Sequence, residues 1–391
     1  MTGRIEIRLA ARTDEDDILR SLDVHWREDH IFVTEPELMR WQHHDPEDPS
    51  GLTFVIAVRQ RREQEEILGV LGFIPFWRFD PGSKRFELTL AIWKVRDDTG
   101  VPGLGLQLLK FIERRFQPTM IAAIGVSQIA HSIYSVLGYT VGRLSQYALF
   151  SAKPAQDPVA EGVKDEMRRP RVDSEGARLL PFGREELTTW QRRIDDLGES
   201  TVPRKSVAYL LNRFISHPYY SYDLRGIIVE HSLQAVLVLR RVPVPDCGPN
   251  TAVLRIVDMI GDEAALAQVG GSLQDLLDEL GCDHVDIMCY GPDPETFRKA
   301  GFVDRDRVPG LILPNYFEPF VATNVDIDLA FRLTTRLDDH RIRLMRADSD
   351  QDRPNVGPLA PKRAFVMPET VAARSADKVG EPSPRGRRAG R

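Results

Sequence analysis

The sequence predicts an α/β (α+β) chain built as two tandem units. Each unit carries a mixed, mostly antiparallel central sheet flanked by helices, and a disordered tail follows. Three observations lead there. Residues 85–139 alternate strand-like and helix-like patterns around a pair of glycines. Residues 225–302 repeat that order, and the helix stops Gly138 and Gly301 lie 163 residues apart. Residues 151–175 and 346–391 lose periodicity and become polar, charged or proline-rich. The expected units are therefore 1–150 and 176–345, with a linker at 151–175 and a charged loop and tail at 346–391. A length of 391 residues fits more than one domain.

In the first unit, residues 4–9 alternate charged and apolar side chains, as a half-exposed strand does. Thr13, followed by acidic residues, signals a helix over 16–27 with Ile18, Leu19, Leu22 and Trp26 inward. Residues 35–44 predict a second short helix before a turn-rich loop at 45–51. Trp41, His43 and His44 beside that loop are either a core ring with a solvated pair or contacts for a substrate. Residues 54–59 and 67–76 read as strands joined by a charged tip. Residues 85–95 read as a buried strand. After a polar break, Gly103 and Gly105 open a helix over 106–116, with Leu106, Leu109, Phe111, Ile112 and Phe116 on its apolar face. Glycines at a helix mouth let a ligand approach the backbone and leave N–H groups and the helix dipole facing an anion. The stretch is either a pyrophosphate cradle or a turn that uses glycine for geometry alone. A short strand at 120–126 and a helix at 127–137 follow, and residues 139–141 and 145–150 return to strand-like composition.

This order, with the Gly103–Gly105 loop and the run Tyr134-Ser-Val-Leu-Gly138-Tyr139, resembles the core of the GNAT (N-acetyltransferase) superfamily. The tandem form resembles acyltransferases of polysaccharide biosynthesis. Relatives carry Arg or Gln three residues before the first loop glycine, where this sequence has Gly100. The resemblance implies acetyl-CoA or another acyl-CoA as co-substrate, held at Val95, Val101, Gly103, Leu104 and Gly105. It puts Tyr134 where many relatives keep the acid that protonates the departing thiolate. It sets the acceptor beside Trp41, His43 and His44. The implied acceptor is a small polar amine, with an amino sugar or nucleotide-linked amino sugar preferred, and a homodimer is compatible with it.

Acyl transfer also needs a base. Glu87 is the candidate: burial on its strand raises its pKa, unless it faces solvent beside Lys84 or Arg85. Asp258, a carboxylate in an otherwise apolar strand, needs either a cleft or an ion pair with an arginine such as Arg255. The run 217–223, with three tyrosines, is a sugar or nucleotide pocket or an ordinary core edge.

The second unit places strands at 225–230, 234–240, 253–259 and 284–289 and helices at 262–280 and 294–300. Gly270 and Gly271 fall within the first of those helices, so no glycine pair opens it. Phe297 stands where Tyr134 stands in the first unit, and a phenyl ring moves no proton. One coenzyme site is expected, in the first unit.

A net charge of -6 gives no basic field for nucleic acid, which argues against aminoacyl transfer from a charged tRNA. No apolar run is long enough for a bilayer, and no signal-peptide pattern is present. Three unpaired-looking cysteines, Cys247, Cys282 and Cys289, fit a reducing cytoplasm. Serine-hydrolase, zincin, P-loop and metal-ligand spacings are missing, so no metal is expected. The alternative reading is a non-catalytic acyl-CoA or ligand-binding protein with degenerate lobes.

Overall fold

The computed structural model describes residues 4–45, 48–61, 64–334 and 341–359. In chain order come β1 (Ile5–Ala11), α1 (Glu15–His25), α2 (Ile31–Thr34), α3 (Pro36–His43), β2 (Gly51–Arg61), β3 (Gln64–Pro75), β4 (Glu87–Val95), α4 (Leu104–Phe116), β5 (Met120–Ile124), α5 (Gln128–Val136), β6 (Thr140–Arg143) and β7 (Ser145–Phe150). Then follow β8 (Ala177–Phe182), α6 (Arg184–Thr189), α7 (Gln191–Glu199), β9 (Thr201–Val202), α8 (Val207–Leu210), β10 (Asp223–Val229), β11 (Ser232–Pro243), β12 (Ala252–Gly261), α9 (Gly270–Leu280), β13 (His284–Tyr290), α10 (Pro294–Lys299), β14 (Val303–Asp304), β15 (Asp328–Leu333), β16 (Arg341–Ile342) and β17 (Leu344–Met345).

Two seven-strand runs have the same layout, as the repeat in the sequence predicts. The first is β1-β2-β3-β4-β5-β15-β6, and the second is β8-β10-β11-β12-β13-β7-β14. Only β4–β5 and β12–β13 are parallel neighbours; the other pairs in these runs are antiparallel.

The sixth place in each run is filled by the other half of the chain. Strand β7, expected to close the first unit, pairs with β13 in the second sheet. Strand β15, from beyond the second unit's helices, pairs with β5 and β6 in the first. A break after residue 150 therefore does not separate the sheets. The reason is local. Only Leu144 lies between β6 and β7, and a hairpin needs about two loop residues to fold back. The chain therefore runs on into the second sheet, and Leu144 is fully buried where it crosses.

The largest apolar cluster lies between the sheets. It joins Met120, Ala122, Ile124, Leu329 and Phe331 of the first to Val236, Val238, Val257 and Met288 of the second. Each of these side chains larger than alanine contributes about 1.5–3 kcal/mol on burial. Helix α4 buries Leu104, Leu108, Leu109 and Ile112 on the opposite face of the first sheet. Its inward stripe thus begins at Leu104, one residue after the cap, and not at Leu106 as the helical wheel suggested.

Two low-complexity readings change. Residues 151–175 pack against the second unit, with Val159, Ala160, Met167 and Arg168 buried. The segment read as an exposed charged loop from residue 346 is interior: Arg346, Ala347, Asp348, Ser349 and Asp352 are all buried. Its charges are accommodated by partners far away in sequence, as Asp352 by Arg240 at 2.6 Å. The tail expected beyond residue 359 lies outside the described residues. Cys247, Cys282 and Cys289 are free thiols, the last two buried. Among the described residues no helix is long and apolar enough to cross a membrane.

Candidate active site

Strands β4 and β5 pair from Glu87–Met120 to Leu90–Ala123 and no further. Opposite the break, two residues of β4, Ala91 and Ile92, face the single Gly72 of β3. This bulge turns β4 away while keeping it bonded to β3. Residues 91–95 therefore present backbone groups to a gap with no strand on the β5 side.

Helix α4 starts at the mouth of that gap. Gly103 caps it in the left-handed region, at φ 72°, a conformation that disfavours any side chain. A Cβ at Gly100 or Gly103 would meet nothing within 4 Å. The N–H groups of Leu104, Gly105 and Leu106 have no partner among the described residues. Three free donors and the positive end of the dipole thus face open space, which is what an anion needs. Half-buried Val95 and Val101 flank the same mouth. The loop's own Arg96 is engaged with Asp98 at 2.7 Å and Glu66 at 2.8 Å.

The wall of the gap is aromatic. A Cβ on Gly105 would sit 3.1 Å from the indole nitrogen of Trp93, so the helix rests directly on that ring. Trp93 lies 5.6 Å from the Tyr134 ring on α5, and Tyr134 lies 5.0 Å from Tyr139. The Tyr139 hydroxyl donates to Glu113 at 2.9 Å. Tyr134 is 1% exposed, and its hydroxyl has no hydrogen bond among the described residues. Burial, aided by the Glu113 carboxylate, holds the Tyr134 phenol above its ordinary pKa. It is a protonated donor at neutral pH.

The second sheet opens the same way and is filled by its own chain. Strands β12 and β13 pair only from Leu254–Val285 to Ile256–Ile287. Beyond that, β17 lies against β13, pairing Met345 with Cys289 and Leu344 with Tyr290. Helix α9 begins at Gly270, so Gly270 and Gly271 open it, contrary to the mid-helix placement read from sequence. Residues 263–268 form a separate 3-10 turn before it. Its N-terminus is nevertheless taken. Asp173 accepts the Ser272 N–H at 2.9 Å, and Arg171 packs on both glycines. Phe297 stacks on Tyr147 at 4.3 Å.

The other sequence candidates scatter around the first gap. Glu87 sits at its closed end, 1% exposed, accepting the Arg204 N–H at 2.7 Å with one carboxylate oxygen, while the other lies 3.6 Å from the Arg85 guanidinium, the arginine partner the sequence offered as an alternative. Burial raises its pKa despite Arg85 and Arg204. Asp258 pairs with Lys205 at 2.5 Å and not with Arg255, which is held by Asp286 at 2.7 Å. Consecutive residues Arg204 and Lys205 thus link Glu87 to Asp258. His43 is fully buried, its ring nitrogens meeting Thr53 at 2.9 Å and Gln42 at 3.0 Å, and burial holds it well below the usual imidazole pKa. No substrate reaches it without unpacking α3. His44 faces outward toward Glu15 at 3.5 Å. Trp41 packs on His217 at 4.3 Å and under Arg213, joining the two units.

Sequence reasoning missed Trp93, Lys205, Asp348 and Gln351. A tryptophan two residues before the end of the strand that feeds a glycine loop was a usable signal. Asp348 and Gln351 carried none, because their segment has the composition of a solvated loop.

No family model matches the chain, and no curated protein matches it. Solved structures similar to it include a GCN5-related N-acetyltransferase from Anabaena variabilis ATCC 29413, 13% identical, covering 85% of this chain and 73% of that one at TM-score 0.47. A GCN5-related N-acetyltransferase from Kribbella flavida is 13% identical over 85% of this chain and 71% of that one, at 0.47. An N-myristoyltransferase from Saccharomyces cerevisiae, solved with myristoyl-CoA, is 9% identical over 92% and 86%, at 0.45.

Proposed function

We propose that the first unit is a GNAT-type N-acyltransferase that takes an acyl-CoA, acetyl-CoA first among them, and acylates the amine of a small polar acceptor. One observation carries the reading: a parallel strand pair that parts after Leu90, with the unpartnered N–H groups of Leu104 to Leu106 at its mouth. Those donors suit a diphosphate. The unpaired edge of β4 suits an extended amide-bearing arm and supplies an N–H to polarise a thioester oxygen. Val95, Val101, Gly103, Leu104 and Gly105 line this path. Tyr134 protonates the departing thiolate. Glu87 accepts the acceptor's proton through water, since it stands at the closed end of the strand. An amino sugar or nucleotide-linked amino sugar is the preferred acceptor, and Trp41 and Asp258 act at the acceptor side through the packing between units. Work in the cytoplasm and a homodimer belong to the same proposal.

A second reading is supported by Gly100 and by the engagement of Arg96 with Asp98: a protein that binds acyl-CoA without turning it over. Calorimetry with coenzyme A, followed by acetyl-CoA consumption against an amine panel, separates the two. Binding with turnover supports the enzyme, binding alone supports the binder, and no binding removes both.

A further inference from the structure

We propose that the acceptor amine also carries an oxyanion, and that Arg346 holds it; this rests on the acyltransferase reading of the first unit and adds the acceptor's charge to it. A cavity of about 30 Å³ lies against the second sheet, walled by Arg240 of β11, Arg255 of β12, Arg346, Arg353, Tyr316 and Gln351 among others. Gln351 joins this cavity to the open gap of the first sheet. Its side-chain nitrogen lies 3.4 Å from the Ile124 carbonyl, and its oxygen accepts from the Tyr316 hydroxyl at 3.1 Å. A side chain on Gly125, the next residue along, would collide with that amide.

The four guanidinium groups are not equivalent. Arg240 is paired with Asp352 at 2.6 Å, Arg255 with Asp286 at 2.7 Å and Arg353 with Asp350 at 3.5 Å. Arg346 has no carboxylate partner among the described residues, although it is only 4% exposed. Its Nε donates to the Gln351 carbonyl at 3.1 Å, and one terminal nitrogen points at the Met288 sulfur at 3.4 Å. A thioether is a weak acceptor for a guanidinium, whose planar fork matches a carboxylate or phosphate. Burial and the neighbouring Arg255 also pull the Arg346 pKa down to about 10. A buried cation in this state is stabilised by any anion that reaches it.

The space beside Arg346 is small and open to one side, so it takes the charged end of a ligand and not a whole ligand. A second cavity of about 280 Å³ adjoins it, sharing Tyr220 and Arg240 and adding Tyr219 and Ser221. These belong to the aromatic run at 217–223, and rings there suit the body of the ligand beyond its anionic group. Glu318, an exposed carboxylate, lines both cavities and disfavours anions that stop there.

The test compares glucosamine, glucosamine 6-phosphate and an amino acid as acceptors in the full chain. The phosphate and carboxylate arms identify the source of the oxyanion. At least one anionic acceptor is expected to exceed glucosamine by about tenfold or more in kcat/KM, and Arg346→Gln to raise its KM by about tenfold with kcat within about threefold. Arg346→Lys should recover part of that loss, and the KM for acetyl-CoA should not move. Neutral amines preferred over both anionic ones, or equal losses for all three, overturn the proposal. Thermal shift with inorganic phosphate gives a readout free of catalysis. Phosphate should stabilise the wild type and not Arg346→Gln, and a wild type unmoved by phosphate counts against the site even where turnover is robust. Should Arg346→Gln fail to fold, Gln351→Glu, which puts a carboxylate on the cavity wall, is expected to abolish the phosphate shift; a shift unchanged in that variant overturns the site. Turnover failing on every amine while the phosphate shift persists removes the acyltransferase reading and leaves the anion site.

Discussion

The hydroxyl of Thr89 on β4 donates to the backbone carbonyl of Asp348 at 2.8 Å, joining residues 259 apart in sequence. The strand that forms one side of the first gap is thereby fixed to the segment that fills the second. The side chain of Asp348 faces Lys205 at 2.7 Å, and Lys205 also holds Asp258 at 2.5 Å. One cation between two buried carboxylates leaves one negative charge over, so one carboxylate keeps its proton. Burial, with Asp258 nearby, raises Asp348 to about 7, while the two carboxylates raise Lys205.

A pH dependence follows. The folded chain binds the Asp348 proton more tightly than the unfolded chain, whose value lies near 3.8. Between those two values the native state holds more protons, so this group makes stability fall as pH rises from about 4 to about 7, and level off above. Glu87, also raised, acts in the same direction. Buried His43 and His30, held below the usual imidazole value, act the other way up to about pH 6.5. The Asp348 contribution is therefore read by difference: the stability of the wild type relative to Asp348→Asn should fall across pH 5 to 8. A difference that stays flat or climbs through this window would contradict the assignment.

Removing the cation has a larger effect. Lys205→Met leaves Asp258 and Asp348 buried side by side with no counter-charge, at a cost of about 3–5 kcal/mol. Chemical denaturation of Lys205→Met against Asp348→Asn should rank the first as much the less stable.

At the gap itself, Gly105→Val forces Trp93 aside, because even a Cβ stands 3.1 Å from the indole nitrogen. The ring cannot move without disturbing Tyr134, 5.6 Å away. Coenzyme A should bind at least about tenfold more weakly by calorimetry, with the unfolding midpoint changed far less than for a core cavity mutant.

Tyr134→Phe isolates the proton. The hydroxyl has no partner to lose, so stability should stay within about 1 kcal/mol of wild type. Loss of a general acid lowers kcat by about 10²-fold or more. Because burial raises this phenol, the wild-type rate should show no descending limb from it below pH 10. A kcat unchanged in Tyr134→Phe would return the ring to a packing role.

How much of this was legible beforehand depended on whether the signal was local. The glycine loop, the strand before it and Tyr134 lie within 50 residues, so a local pattern was enough to group them, and the structure brings them to one gap. The duplication was legible because each half repeats the same order of periods. Asp348 and Gln351 were hidden for a physical reason: a charged residue reads as solvated unless its partner is known, and Lys205 and Tyr316 are distant in sequence. His43 misled for the converse reason. An imidazole beside a polar loop looks accessible, yet Thr53 and Gln42 satisfy both ring nitrogens and let it be buried. Gly270 and Gly271 looked mid-helix because the 3-10 turn before them has helical composition.

The strand exchange makes a prediction that the apparent two-unit sequence would not. A fragment ending at residue 150 keeps β7 but lacks the second sheet it pairs with, and it lacks β15 between β5 and β6. Ala148, Leu149 and Phe150 would lose their cover, and β5 and β6 would become open edges on either side of a missing strand. Such a fragment should aggregate or remain without cooperative unfolding by circular dichroism. Co-expression with residues 151–391 should restore a soluble pair that co-purifies, since each piece then supplies the strand the other lacks. A monodisperse 1–150 fragment with a sharp unfolding transition would show that β6 and β7 can close a sheet alone, and the exchanged topology would then be the wrong one.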